Sequence, residues 1–82
     1  MDIYKMIVEE RKRQDTKWGI QNHNQEKWIT ILGEEFGEVC KATLEHSDYE
    51  YIKEMTQVAA VAVAALESWF RNNNCFLIQM MT

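Results

Sequence analysis

Not one proline occurs in these 82 residues, and glycine occurs only at positions 19, 33 and 37. Proline ends a helix by removing a donor and clashing with the preceding turn, and glycine weakens one. With both so scarce, and with little alternation of β-branched residues, the chain reads as all-helical. Asp2 can cap a first helix running to about residue 17, whose apolar residues Ile3, Tyr4, Met6, Ile7 and Val8 all lie at its start. Residues 9–17 are almost wholly polar, the pattern of a helix end directed at solvent or at a ligand. After a loop at 18–24, Asn24 caps a second helix over about residues 25–45. Ser47 and Glu50 have capping-box spacing and open a third helix that reaches about residue 71. Asn72, Asn73 and Asn74 close it, asparagine tolerating the left-handed conformation at a helix end. Residues 75–82 are apolar and suit a further helical turn, an arm or an interface segment.

Three helices of this length make one domain, residues 1–82, and a chain so small buries only about 60% of its unfolded surface. Yet 46% of the residues are hydrophobic, and residues 58–66 are apolar right round the third helix. A helix of that kind is buried on every side, which three helices cannot provide, so a homo-oligomer (dimer or tetramer) is expected to complete the core. Cys40 reads as a small core residue, and two cysteines without metal-type spacing point to a reducing, cytoplasmic setting. The charged first fifteen residues do not resemble a signal peptide. The nine-residue apolar run is half of the roughly 18 that a membrane span needs. A net charge of −4 without a basic tail argues against a nucleic-acid polymer as partner. A nucleotide remains compatible, its phosphates bridged to carboxylates through a cation.

Such carboxylates are concentrated in Gly33-Glu34-Glu35-Phe36-Gly37-Glu38. Stepping along the second helix from Trp28 gives Ile31, Glu35, Glu38 and Ala42, an inward stripe with charge at its centre. Leu32, Phe36 and Val39 form a second apolar line beside it. The third helix carries a matching stripe of Glu54, Val58, Val61 and Ala65, and an antiparallel hairpin brings Glu54 level with Glu35 and Glu38, with Gln57 one turn deeper. Carboxylates buried without compensation are costly, and several at once, all oxygen donors, select a hard cation, Mg²⁺ or Mn²⁺. Solvated surface glutamates are the plain alternative for any one of them. A di-iron bundle needs Glu-x-x-His pairs, which His23 and His46 do not supply; His46 suits the end of the second helix as a partner for its dipole. Gly33 and Gly37, four apart, permit close approach of another helix or a ligand. For a nucleotide, Lys17 offers a cation to phosphate, Trp18 a ring for stacking and Gln14 an amide for base edges. Trp28 is the alternative stacking group but reads as core, and Arg11 and Arg13 read equally well as surface charges.

Glu34-Glu35-x-x-Glu38 followed by Glu54-x-x-Gln57 resembles the EExxE…ExxD signature of the MazG-like, all-α nucleoside triphosphate pyrophosphohydrolases. Glu10-Arg11-x-Arg13-Gln14-Asp15-x-Lys17-Trp18-Gly19 and Gln57-Val58-Ala59-Ala60-Val61-Ala62-Val63 look like the small phage and bacterial members, and the resemblance covers roughly residues 9–70. It implies a MazG-like bundle of three main helices assembled as a dimer or tetramer. The implied activity is hydrolysis of a (deoxy)nucleoside triphosphate to the monophosphate and pyrophosphate, by attack of an activated water at the α-phosphorus. Glu35, Glu38, Glu54 and Gln57 are the implied metal ligands, with Glu34, Glu35 and Glu38 the carboxylates of the chemistry and Glu34 a ligand or the group orienting the water. The family's last aspartate is Gln57 here, an amide that can ligate through oxygen but adds no charge and takes no proton. The alternative is therefore a catalytically weak or silent nucleotide-binding or regulatory bundle. A plain helical interaction module leaves the inward glutamates unexplained.

Overall fold

The computed structural model describes residues 1–73. These form three helices and no strand: α1 (Ile3–Trp18), α2 (Gln25–Leu44) and α3 (Asp48–Asn72). Each begins where a side-chain cap is available. Asp2 accepts from Lys5 N at 3.0 Å, Asn24 from Lys27 N at 2.8 Å and Ser47 from Glu50 N at 3.2 Å. The expected all-α architecture is therefore the observed one. The expectations for residues 74–82 lie outside the described residues.

The ends depart from expectation in three places. Only one half of the capping box forms, because the Ser47 N–H donates to Ala42 O at 3.1 Å. Together with His46 N donating to Thr43 O at 3.2 Å and a φ of 54° at His46, this is a Schellman turn. His46 thus supplies the left-handed residue between α2 and α3. At the end of α3 the two described asparagines do not use that conformation: Asn72 is helical, Asn73 is extended (φ −122°, ψ 169°), and the Asn73 side-chain nitrogen caps Trp69 O at 2.6 Å. Gly19 ends α1 with φ 75° and ψ 176°, its N–H donating to Asp15 O at 2.9 Å. That conformation is essentially reserved for glycine, so Gly19→Ala should cost about 1–3 kcal/mol, read as a lower thermal midpoint with unchanged helicity below it.

α3 is the shared partner, with α1 and α2 both packing chiefly on it. Ser68, fully buried, donates to His23 O at 3.3 Å, and Arg71 donates to Asn22 Oδ1 at 2.8 Å and Gln21 O at 3.1 Å, so the far end of α3 holds the α1–α2 loop. Arg11 does the same for α1, donating to Glu67 at 2.9 Å; with its side chain mostly buried, it is a structural tie and not a surface charge.

The core is thin: Trp28, Val39, Ala42, Ala60, Val61 and Ala64. On α2 the seam runs through Trp28, Glu35, Val39 and Ala42, with Ile31 and Leu32 half-buried. Glu38, expected inward, is exposed, because Val39 beside it fills the contact without desolvating a charge. Phe36 and Cys40 are exposed too, on the face turned away from α3, so neither is a core residue of this chain. Among the described residues the apolar middle of α3 is covered on one side only, Val63 and Leu66 remaining exposed, because α1 and α2 are the helices that pack on it there. Among the described residues nothing lies within 4 Å of a Cβ placed at Gly33 or Gly37, so none of the three helices approaches there.

Candidate active site

α2 and α3 run past each other so that Glu35, Glu54 and Gln57 meet. Of the two orientations of the Gln57 amide, only one is hydrogen-bonded: its nitrogen donates to Glu54 Oε2 at 2.8 Å and to Glu35 Oε2 at 2.9 Å. Two carboxylates from different helices therefore converge on one point. Glu35 is the most stressed of the acids. Burial pushes its carboxyl above the ordinary carboxylate range, and Glu54, Glu38, Glu10 and Glu34 add to this in that order. The amide donor opposes the shift, but one neutral dipole does not outweigh burial and four anions.

Glu10 was not singled out by the sequence, since its role depends on a partner in another helix. It projects from α1, mostly buried, and is clamped by Arg13 through contacts of 2.6 and 2.9 Å. Hydrogen bonding to Glu10 raises the Arg13 pKa; desolvation opposes the shift, and the charges of Glu10 and then Glu35 add lesser raising effects. Arg13 thus sets a cation within electrostatic reach of Glu35.

A cleft of ≈ 660 Å³ adjoins this cluster. α2 and α3 contribute Glu34, Glu35 and Gln57, over a floor that includes Trp28, Ile31, Val61 and Ala64. The polar half of α1 contributes Arg11, Arg13, Gln14, Asp15, Lys17 and Trp18, and Gln21, His23 and Lys27 complete the lining. Six of the eight residues singled out in the sequence share this one cleft; Glu54 reaches it through Gln57, and Glu38 stands exposed beside it. Lys17 Nζ sits 4.7 Å above the centre of the exposed Trp18 ring. Gln14 Oε1 accepts from Arg11 at 3.1 Å, which leaves the amide nitrogen as the end available to a ligand. Trp28 is core, as its position implied, yet its Nε1 is buried without a partner, and the His23 ring lies 5.0 Å from its own. Lys27, the second lysine of the cleft, follows an N-cap in the sequence and gave no other signal there.

Among the described residues no three Asp, Glu, His or Cys side chains form a group that could hold a metal ion. The converging oxygens of Glu35 and Glu54 suit a hard divalent cation in donor chemistry and in charge, and the Gln57 side-chain oxygen could join them only with the amide turned over. No helix among the described residues is long and apolar enough to cross a membrane.

Comparison with known proteins finds one family. The phosphoribosyl-ATP pyrophosphohydrolase family model matches residues 1–68, a span that holds every residue of the cleft and of the carboxylate cluster. No curated protein and no solved structure matches the chain. The chain belongs to the phosphoribosyl-ATP pyrophosphohydrolase family, within the MazG-like all-α superfamily of pyrophosphohydrolases.

Proposed function

We propose that this protein hydrolyses a nucleoside 5′-triphosphate group between its α- and β-phosphates in a reaction that depends on Mg²⁺ or Mn²⁺. The observation that carries the reading is the single cleft in which a carboxylate cluster faces lysines and an exposed indole. Phosphates and base of one nucleotide require those two chemistries side by side. The substrate is either a simple (deoxy)nucleoside triphosphate, as the acidic signature implied, or phosphoribosyl-ATP, for which the family is named.

In this reading Glu35, Glu54 and the Gln57 oxygen would hold the cation. A bound Mg²⁺ or Mn²⁺ offsets phosphate charge and lowers the pKa of water. Glu34, exposed at the cleft, orients the attacking water and accepts its proton. The water oxygen bonds to the α-phosphorus, the bond from that phosphorus to the bridging oxygen breaks, and pyrophosphate leaves. Lys17 and Lys27 attract the phosphates. Trp18 stacks on the base, Gln14 donates to its edge through nitrogen, and Trp28 Nε1 is the buried donor left for a ligand acceptor. A panel of ribo- and deoxynucleoside triphosphates and phosphoribosyl-ATP, assayed for pyrophosphate with Mg²⁺, Mn²⁺ or EDTA, tests this. Cation-dependent release from one class names the substrate. Nucleotide binding with no release anywhere in the panel selects a silent binding protein in which Gln57 has replaced the last acid.

The assembly belongs to the same reading. Ile29, Phe36 and Leu44 are 57–79% exposed on the open face of α2, in line with Gly33, Gly37 and Cys40. Ile52, Met55, Val63 and Leu66 form a second exposed apolar line on α3. Monomers seldom leave so much apolar surface in contiguous lines, and a second copy of the chain would cover it. Phe36→Asp should convert the oligomer to monomer by light scattering, with a concentration-dependent thermal midpoint for wild type only. An unchanged mass would remove this face from the interface.

A further inference from the structure

The carboxylate pair of Glu35 and Glu54 would repel itself in the absence of a cation, yet the structure holds the two oxygens 2.9 and 2.8 Å from one atom of Gln57. A primary amide has two N–H donors and one oxygen acceptor. With nitrogen toward the pair, each hydrogen goes to one carboxylate; with oxygen toward it, the same position becomes an acceptor between two anions. Resting on the cation-dependent reading above, we infer that Gln57 is a stand-in for the cation: its NH₂ group bridges Glu35 and Glu54 in the cation-free chain, and the amide turns over to present oxygen in the loaded one.

This gives an amide at position 57 a physical role of its own. An aspartate in that position adds a third anion to the cluster and depends on the cation for relief. The amide removes that dependence. It also lowers cation affinity twice, by withholding one charge and because two hydrogen bonds must be broken before the oxygen can turn inward. Gln57 is on this account a positioning residue that sets the cation concentration at which the site fills. Lysine would bridge the same carboxylates but could not turn into a ligand, having no acceptor, whereas glutamine performs both roles with one side chain.

The test compares full-length wild type with Gln57→Glu and with the charge swap Glu54→Gln/Gln57→Glu, which returns one amide and two carboxylates to the cluster. In EDTA at pH 8, Gln57→Glu should melt about 5–10 °C below wild type, and the swap should recover most of that difference. Mn²⁺ titrated into wild type and Gln57→Glu should raise both midpoints and bind Gln57→Glu at least about tenfold more tightly than wild type, since added ligand charge tightens hard-cation sites. If Gln57→Glu melts with wild type in EDTA, or the swap melts no higher than the single variant, the bridging role is overturned while the cation-dependent reading stands. If the EDTA ranking holds but Mn²⁺ moves no midpoint, the exchange of amide for cation is overturned together with the cation-dependent reading. If Gln57→Glu does not fold in EDTA, the swap decides alone: a folded swap supports the bridge, an unfolded one overturns it.

Discussion

Glu35→Gln should lower pyrophosphate release at least about tenfold, because it withdraws one of the two charged ligands that would hold the cation and ligand charge tunes hard-cation affinity, and should at the same time stabilise the cation-free protein. The two effects have one origin. Glu35 faces Glu54, Glu38, Glu10 and Glu34 from a partly buried position, so its charged form is the least comfortable in the molecule and the most useful to a cation. The pH dependence fixes the sign. With a folded pKa above the ordinary 4.5, the folded chain binds this proton more tightly than the unfolded chain. The resulting stability is fully present below pH 4.5 and is lost as pH rises through the folded value. In EDTA, wild type should therefore have a higher thermal midpoint at pH 5 than at pH 8 from this group, and Glu35→Gln should flatten that slope. Saturating Mn²⁺ should raise the pH 8 midpoint of wild type only. A variant that lost activity and stability together would mark Glu35 as an ordinary structural residue.

What the sequence revealed and what it concealed divide along range. Asp2, Asn24 and Ser47 announce helix starts because a cap acts over three residues, and the helices begin where those caps predict. The phase of α2 was harder. The stripes Trp28–Ile31–Glu35–Glu38–Ala42 and Trp28–Leu32–Glu35–Val39–Ala42 share three residues and differ only by one-residue steps. Desolvation decides between them in favour of Val39, which is buried, over Glu38, which is exposed. Glu10 and Arg11 gave no usable sign of their roles, because the groups that define them, Glu35 and Glu67, belong to other helices. Gln57 was legible as a missing charge but not as a donor, since a sequence motif records which ligand is absent and not what its replacement touches. The turn at His46 shows the same limit: three asparagines advertise a left-handed end at α3 and do not adopt one among the described residues, while a histidine at the end of α2 does.

Trp28→Ala should leave the chain largely unfolded at 37 °C, the largest stability effect of any single truncation here. Among the described residues Trp28 is the only large side chain in the buried core; its companions Val61 and Ala64 are small, and Ile31, Leu32 and Ala65 are only partly covered. Removing a buried indole costs about 3–5 kcal/mol, against a total of roughly 4–12 kcal/mol for a domain of this length. Few neighbours can collapse into the space, because α1 has no buried residue to offer and packs on α3. Trp28→Phe separates packing from polarity. It keeps an aromatic ring beside His23 while deleting an N–H that is buried without a partner, and an unmet donor of that kind costs about 1–3 kcal/mol. The loss of volume is therefore partly offset, and the midpoint of Trp28→Phe should fall by only a few degrees, on the order of 1 kcal/mol or less in net effect. If a nucleotide supplies the acceptor, the offset reverses once ligand binds. A non-hydrolysable triphosphate with Mn²⁺ should then raise the wild-type midpoint more than that of Trp28→Phe, and equal increments would assign the indole N–H no part in recognition.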